Sequence, residues 1–357
     1  MQVREFSFDL PAELIAQDPP AVRGSSRLLH LDRRTGARTH ATVDRLAEFL
    51  TGGDVVVVNN TRVFPARLLG RRVPSGGAME CLLVTRVDAP DVASTTEETW
   101  EALMHPGQKL APGAYVAFEA DGRVALEGEV LEQHFFGRRT IRLRSVDSRS
   151  IQDVVDEIGH VPLPPYIKRD DRVDDRDRYQ TVFARERGSI AAPTAGLHFT
   201  PQIVDSLKAR GVAVAEVTLH VGYGTFQPVR VERVEDHAIE PEQYVVSHAT
   251  ADAIEDARRA GHRVVAVGTT TTRTLEAVAL ANAGRIVAGA GATDVFIYPG
   301  FTFQVINGLL TNFHLPASSL LMLVAAFGGK DAVLAAYADA VEKRYRFYSY
   351  GDAMLIT

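Results

Sequence analysis

The 357-residue chain contains a single cysteine, Cys81, and a single tryptophan. A lone thiol excludes an internal disulfide and any cysteine-rich zinc site. Within Met79-Glu80-Cys81-Leu82-Leu83-Val84 it reads as a small buried hydrophobe on a strand. No apolar run approaches the roughly 20 residues of a membrane span, so no membrane partner is expected. Nor is positive charge in excess: 39 Lys and Arg face 45 Asp and Glu, a formal net charge of -6. That excludes an all-over nucleic-acid-binding coat but leaves room for a local basic face. Arg71-Arg72, Arg138-Arg139 with Arg142 and Arg144, and Lys168-Arg169 are the candidates, although each alone reads equally as a solvated surface. The phosphate-binding Walker loop, the Gly-x-Gly-x-x-Gly fingerprint, the His-Glu-x-x-His zinc helix and the Gly-x-Ser-x-Gly elbow are all missing. With no paired histidines beside a carboxylate, no metal is expected. The first nine residues, Met1 to Asp9, carry neither a basic start nor an apolar stretch, so no secretory signal is expected and the cytoplasm is the expected compartment.

What is present is ordinary globular composition, 46% hydrophobic and 24% charged. The length exceeds what one core usually fills, about 250 to 300 residues, so two domains are expected. Val55 to Val58 predicts a strand buried on both faces, with the polar turn Asn59-Asn60-Thr61-Arg62 at its carboxyl end. From about 66 to 145 the pattern becomes short alternating runs split by turn residues, an all-β module. Asp88 to Glu98 reads as a polar loop of low order. After Ile151 helical and strand signals alternate, following a stiff connector, Val161-Pro162-Leu163-Pro164-Pro165-Tyr166-Ile167. Thr200-Pro201 is a helix start, Val212 to Leu219 a strand, and Gly268-Thr269-Thr270-Thr271-Thr272-Arg273 a polar turn before a helix from Thr274. Leu315 to Phe327 predicts a further helix. The fold class that follows is a layered α/β domain, discontinuous in sequence (1–65 and 151–357), interrupted by an inserted β module (66–150).

Four segments of the α/β part concentrate His, Thr, Gly, Asn and aromatic residues beyond what a core needs, and they form the candidate active site. Gly188 to Thr200 is a loop of small residues with Thr194, Gly196 and His198, feeding a helix N-terminus that favours an anion. Thr218 to Pro228 contains His220, Gly222, Tyr223, Thr225, Phe226 and Gln227; its glycines allow close backbone approach, and its aromatics suit stacking on a purine. The Thr269 to Thr272 turn ends in Arg273, a set suited to an anion or to nothing more than a capped helix. Asn307 to Pro316 holds Asn312 and His314. Taken singly, His198 reads as no more than a cap on the helix entry and His220 as a hydrogen-bonded core histidine.

Together these segments resemble the S-adenosylmethionine:tRNA ribosyltransferase-isomerases of queuosine biosynthesis. The resemblance also rests on Leu14-Ile15-Ala16-Gln17, Ser26-Arg27-Leu28-Leu29, Asn59-Asn60-Thr61-Arg62-Val63, Pro162 to Ile167, Tyr179 to Ala184, Phe296 to Gly300 and Tyr345 to Met354. It spans nearly the whole chain except the interior of the β module. One departure is Ile239-Glu240-Pro241-Glu242, where the family is expected to show Met-His-Ser-Glu; Glu242 fits, and no histidine stands at 240. The resemblance implies a small antiparallel β-barrel inserted into the α/β domain. It implies transfer and isomerisation of the ribosyl part of S-adenosylmethionine (AdoMet, a co-substrate) onto 7-aminomethyl-7-deazaguanine, preQ1, at the tRNA wobble position. Epoxyqueuosine is then the product, adenine and methionine are released, and no metal takes part.

On that reading His198 is the leading acid-base candidate, with His220, His314 and Glu216 behind it. Thr194, Gly196, Gly222, Tyr223, Thr225, Phe226, Gln227, Thr269, Thr270, Arg273 and Asn312 are the expected AdoMet contacts, and Asn60, Arg62, Lys168 and Arg169 the expected tRNA and base contacts. Competing readings are an AdoMet-dependent methyltransferase, a tRNA-guanine base exchanger, for which one cysteine is too few to build the zinc site, and a non-catalytic RNA-binding protein. A monomer without an obligatory protein partner is expected, since apolar heptads are lacking.

Overall fold

The computed structural model describes residues 1–87, 95–222, 224 and 228–357. It divides into two compact units: Met1–Arg62 with Pro164–Arg169 and Arg178–Thr357, and Val63–Leu163 with Asp170–Asp177. The strands begin with β1 (Arg27–Leu31), β2 (Arg38–Thr42), β3 (Val55–Asn59) and β4 (Thr61–Val63). Those of the smaller unit are β5 (Arg67–Val73), β6 (Ala78–Arg86), β7 (Glu97–His105), β8 (Tyr115–Ala120), β9 (Arg123–Gln133) and β10 (Arg138–Ser145). They are followed by β11 (Glu186–Ser189), β12 (Ala213–Leu219), β13 (Glu242–Val246), β14 (Val264–Val267), β15 (Gly289–Thr293), β16 (Gly308–Asn312) and β17 (Ala353–Ile356).

The smaller unit is a closed antiparallel barrel in the order β10-β7-β6-β5-β8-β9. Its alternating sequence explains it: Met79, Cys81 and Leu83 point inward from β6 and are buried, while their neighbours are partly exposed. Burial pushes the Cys81 thiol well above its usual range, so it stays a protonated hydrophobe. Part of the expected loop is strand: residues 88–94 lie outside those described, but β7 begins at Glu97. Glu98 is buried because Arg86 reaches it at 3.1 Å and Trp100 Nε1 donates to it at 2.9 Å. A partner on the neighbouring strand is invisible to local sequence reading. The expected basic face of this unit is largely neutralised across strands. Arg71 pairs with Glu119 at 2.6 Å and Arg138 with Glu101 at 3.3 Å, and Arg144 lies opposite Glu97 and Glu127 in the ladder. Arg139 is buried, its Nε donating to the Leu110 carbonyl at 2.6 Å.

In the larger unit a nine-stranded mixed sheet runs β15-β13-β12-β3-β14-β16-β17-β1-β2, beside a short β11-β4 pair. Its middle, β12-β3-β14-β16, is parallel throughout, with Val217 beside Asn59, Ala266 beside Val57 and Val267 beside Leu310. The side-chain period of two divides the valines of β3 between the faces. Val55 and Val57 join one core with Ile254, Leu275, Leu309 and Leu321. Val56 and Val58 join another with Phe199, Ile203, Leu207 and Leu310. Helices cover both faces. They are α3 (Pro201–Ala209), α4 (His248–Arg259), α5 (Thr269–Ala281), α6 (Ser319–Gly328) and α7 (Lys330–Glu342); α1 (Ile151–Ile158) and α2 (Asp175–Arg178) come before them in the chain. α1 and residues Asp175–Asp177 of α2 belong to the barrel unit. No single described helix is long and apolar enough to cross a membrane.

Helix starts follow local chemistry. Thr200 Oγ1 accepts the Ile203 N–H at 3.2 Å with Pro201 in the first turn, and Ser318 Oγ accepts from Leu321 at 3.2 Å. Two starts differ from expectation: α6 begins at Ser319 rather than Leu315, and α5 begins at Thr269, so the threonines and Arg273 are helical rather than a turn before it. Gly268, at φ 88°, turns the chain off β14 in one residue. The Thr272 and Thr274 hydroxyls then bond back to the Gly268 and Thr270 carbonyls, each at 3.1 Å.

Candidate active site

Because β12, β3, β14 and β16 are parallel, their carboxyl ends share one edge of the sheet, where ligands of open α/β sheets bind. The segments that leave this edge wall a cleft of about 510 Å³, open solvent included. Each of the four polar segments contributes: Thr194 from the first, Val221 from the second, Thr269 and Thr270 from the third, Asn312 and His314 from the fourth. Tyr348 and Ser349 close another side. Sequence reasoning gave those two no role, although the polar and aromatic run Tyr345 to Met354 was a signal for them. Tyr348 sits at φ 74°, a left-handed conformation rare for a bulky residue, fixed in part by its N–H bond to the Phe313 carbonyl at 2.8 Å. Tyr166, from the proline-rich connector, shares a hydrogen bond with Ser349.

The histidines occupy different places. His314 lines the cleft with Nε2 2.8 Å from Thr311 Oγ1, and its N–H donates to the Tyr337 hydroxyl at 3.1 Å. Burial lowers its imidazole to about 3, so it is neutral at physiological pH. His198 is buried behind the cleft, its Nε2 3.2 Å from Asn312 Nδ2. That same amide nitrogen donates to the Tyr348 carbonyl at 2.9 Å, which assigns Nδ2 as the donor and leaves His198 Nε2 as an unprotonated acceptor. Burial, outweighing the attraction of Asp352, lowers His198 to about 4. Asn312 Oδ1 is buried without a partner.

His220 is partly buried over Gly188, where an added Cβ would meet its ring at 2.7 Å, and its Nδ1 lies 2.8 Å from Thr61 Oγ1. Burial lowers its pKa against the raising effect of Glu186. Glu216 is held by Arg185 and by Asn60 Nδ2, the latter at 3.1 Å. Neither His220 nor Glu216 lines the cleft. Asn60 is further committed through Oδ1, which accepts the Thr218 hydroxyl at 2.8 Å.

Arg273 is buried against Glu242, whose Oε1 accepts the Gly222 N–H at 3.0 Å, so the second and third segments are tied by one carboxylate. Gly196 is buried beside Thr181, which a Cβ would meet at 2.8 Å. Tyr223, Thr225, Phe226 and Gln227 lie outside the described residues. Arg62 and Lys168 are exposed; Arg169 pairs with Asp18 at 3.0 Å. Among the described residues no group of His, Cys, Asp or Glu is placed to hold a metal ion.

The comparisons agree with one another. Residues 3–356 match the family model described as queuosine biosynthesis protein. A relative named S-adenosylmethionine:tRNA ribosyltransferase-isomerase from Heliobacterium modesticaldum is 49% identical over 356 residues, covering 100% of both chains. Another of that name, from Nitratidesulfovibrio vulgaris, is 51% identical over 98% of this chain and 96% of its own. The crystal structure of S-adenosylmethionine tRNA ribosyltransferase from Thermotoga maritima matches with a TM-score of 0.55 at 36% identity, covering 99% of this chain and 100% of that one. A continuous match of this length, on a chain that is a barrel interrupting an α/β sheet, leaves one assignment: the chain belongs to the queuosine biosynthesis family of S-adenosylmethionine:tRNA ribosyltransferase-isomerases.

Proposed function

We propose that the chain moves the ribosyl part of AdoMet onto preQ1 at the wobble position of tRNA, yields epoxyqueuosine and releases adenine and methionine. The observation that carries this reading is the convergence of the four polar segments on one cleft at the carboxyl edge of the parallel strands, with a neutral histidine in its wall. The sulfonium of AdoMet acidifies the neighbouring C5′ protons. Removing one gives an ylide at C5′, whose electron pair forms a C4′=C5′ bond as C4′–O4′ breaks; O4′ becomes the C1′ carbonyl and adenine leaves C1′ with a proton. The aminomethyl nitrogen adds at C4′ and loses a proton, the restored C5′ ylide bonds to C1′, and the resulting C1′ alkoxide closes the epoxide on C5′ as methionine leaves. Such a sequence needs a base that is unprotonated at neutral pH and a donor for the departing purine.

His314 fits the first need because burial keeps it neutral and Thr311 fixes its ring. His198 acts through Asn312, whose unpartnered Oδ1 suits the amino edge of a purine. The Thr194, Thr269 and Thr270 hydroxyls are suited to the ribose and other polar groups in the cleft. His220 and Glu216 stand outside the lining and support it through Thr61, Asn60 and Arg185. Arg62 and Lys168, two of the exposed cations of this unit, serve tRNA phosphates. The protein works in the cytoplasm as a monomer without a metal.

Incubation with AdoMet and tRNA bearing preQ1, followed by nucleoside mass analysis, tests the reading. Epoxyqueuosine with free adenine is the expected result. S-adenosylhomocysteine and a methylated tRNA would replace it with the methyltransferase reading.

A further inference from the structure

Beside the cleft lies a second cavity of about 330 Å³, and Leu320 lines both. Its walls are mostly apolar, including Ile239, Phe296 and Leu323, with Arg273 and Ser319 as polar members. Arg273 is 3% exposed, and only its Nη2 is paired, to Glu242; Nε and Nη1 are buried with no hydrogen-bond partner. A guanidinium cannot shed its charge when buried, so these N–H groups call for an acceptor. The same cavity receives the start of the ten-residue helix α6. Ser318 Oγ takes the Leu321 N–H, which leaves those of Ser319 and Leu320 at the positive end of the helix dipole. The unpartnered Arg273 nitrogens and the first turn of α6 therefore border one small, largely apolar recess.

We propose that this recess is the subsite for a carboxylate on a short aliphatic arm. Resting on the function proposed above, that arm is the methionyl end of AdoMet: its carboxylate lies between Arg273 and the first turn of α6, while its nucleoside end occupies the cleft across Leu320. Glu242 already balances the single positive charge of Arg273 and is itself engaged by Gly222, so an amino-acid end, whose carboxylate comes with its own α-ammonium, is better accommodated than a net anion. A backbone phosphodiester is flanked on both sides by polar sugars that the apolar walls would desolvate, whereas the methionyl end is a zwitterion of no net charge whose remaining atoms are methylenes. The subsite makes Arg273 a determinant of specificity for AdoMet over analogues lacking the carboxylate.

Decarboxylated AdoMet keeps the sulfonium and nucleoside and lacks only that group. With preQ1-tRNA as acceptor and adenine release as readout, its KM on the wild-type protein should exceed that of AdoMet by about 10- to 100-fold, the size of one charge-assisted contact. Arg273→Lys keeps the positive charge beside Glu242 but loses Nε and Nη1. The pair Arg273→Gln with Glu242→Gln leaves no buried charge unmatched. In both variants the KM for AdoMet should rise and the two co-substrates should converge to within about 3-fold. Variants that retain the wild-type preference, or a wild type that does not distinguish the two compounds, would overturn the subsite. Equilibrium binding of free methionine and of methioninol separates this claim from the reaction. If the wild type releases no adenine from AdoMet, the proposed function fails, yet a preference for methionine over methioninol that Arg273→Lys abolishes would still uphold the subsite; its absence would sink it.

Discussion

Burial of an imidazole is a statement about pH as well as position. His198 and His314 are held at about 4 and about 3 in the folded chain, against an ordinary value of 6.5. Below 6.5 the unfolded chain binds protons that the folded one refuses, so the stabilisation from these neutral rings is complete above 6.5 and lost as pH falls toward 4 and then 3. The urea midpoint should therefore drop between pH 7 and pH 5. His314→Gln should flatten that dependence by about one proton, and an unchanged slope in this variant would show the ring is not buried as described. Activity separates the two residues. His314→Ala should lower adenine release on the order of 100-fold or more, the usual scale for removing an acid-base group. His198→Ala should cost less, since it acts through Asn312. Full turnover by both variants would end the acid-base assignment.

Among the elements, α5 shows how a short motif is read correctly in kind and wrongly in place. The density of threonines before Arg273 marked the segment, but the helix starts five residues earlier than the expected Thr274 because Gly268 alone makes the turn. No side chain crowds Gly268, the nearest atom to an added Cβ being 3.7 Å away, so its φ is the constraint. Gly268→Ala should destabilise by about 1–2 kcal/mol in urea unfolding, the cost of a left-handed backbone for an L-residue. The cap of α3 was legible outright, since Thr200 and Pro201 act within one turn; Thr200→Ala should cost about 1 kcal/mol by the same assay. The barrel arginines were not: their charge was visible, but the glutamates that neutralise them lie on neighbouring strands.

At the scale of the whole molecule, stability rests on a sheet buried on both faces. Val57 is fully buried among helices packed against β3, and Val57→Ala should cost about 2–3 kcal/mol, seen as a lower urea midpoint with the same slope. The net charge of -6, with Arg62 and Lys168 as the cations proposed for the interface, implies few phosphate contacts. Binding of tRNA should therefore weaken with salt, with a shallow log-log slope; no salt dependence at all would remove Arg62 and Lys168 from the interface.

The chain alone carried the β3 strand, the barrel's alternation, the helix caps and the four polar segments, because each depends on neighbours within one turn or one pleat. Its long collinear resemblance carried the family. Folding decided which of the marked residues meet: Thr194, Thr269, Asn312 and His314 reach the cleft, His198 stays one residue behind it, and Glu216 is taken by Arg185. It also added Tyr348 and Ser349, and left two Arg273 nitrogens unmet beside α6. The physical reason is strand order. Residues more than a hundred positions apart become neighbours only when β12, β3, β14 and β16 align in parallel, and no local pattern encodes which side chain then finds a partner and which is left without one.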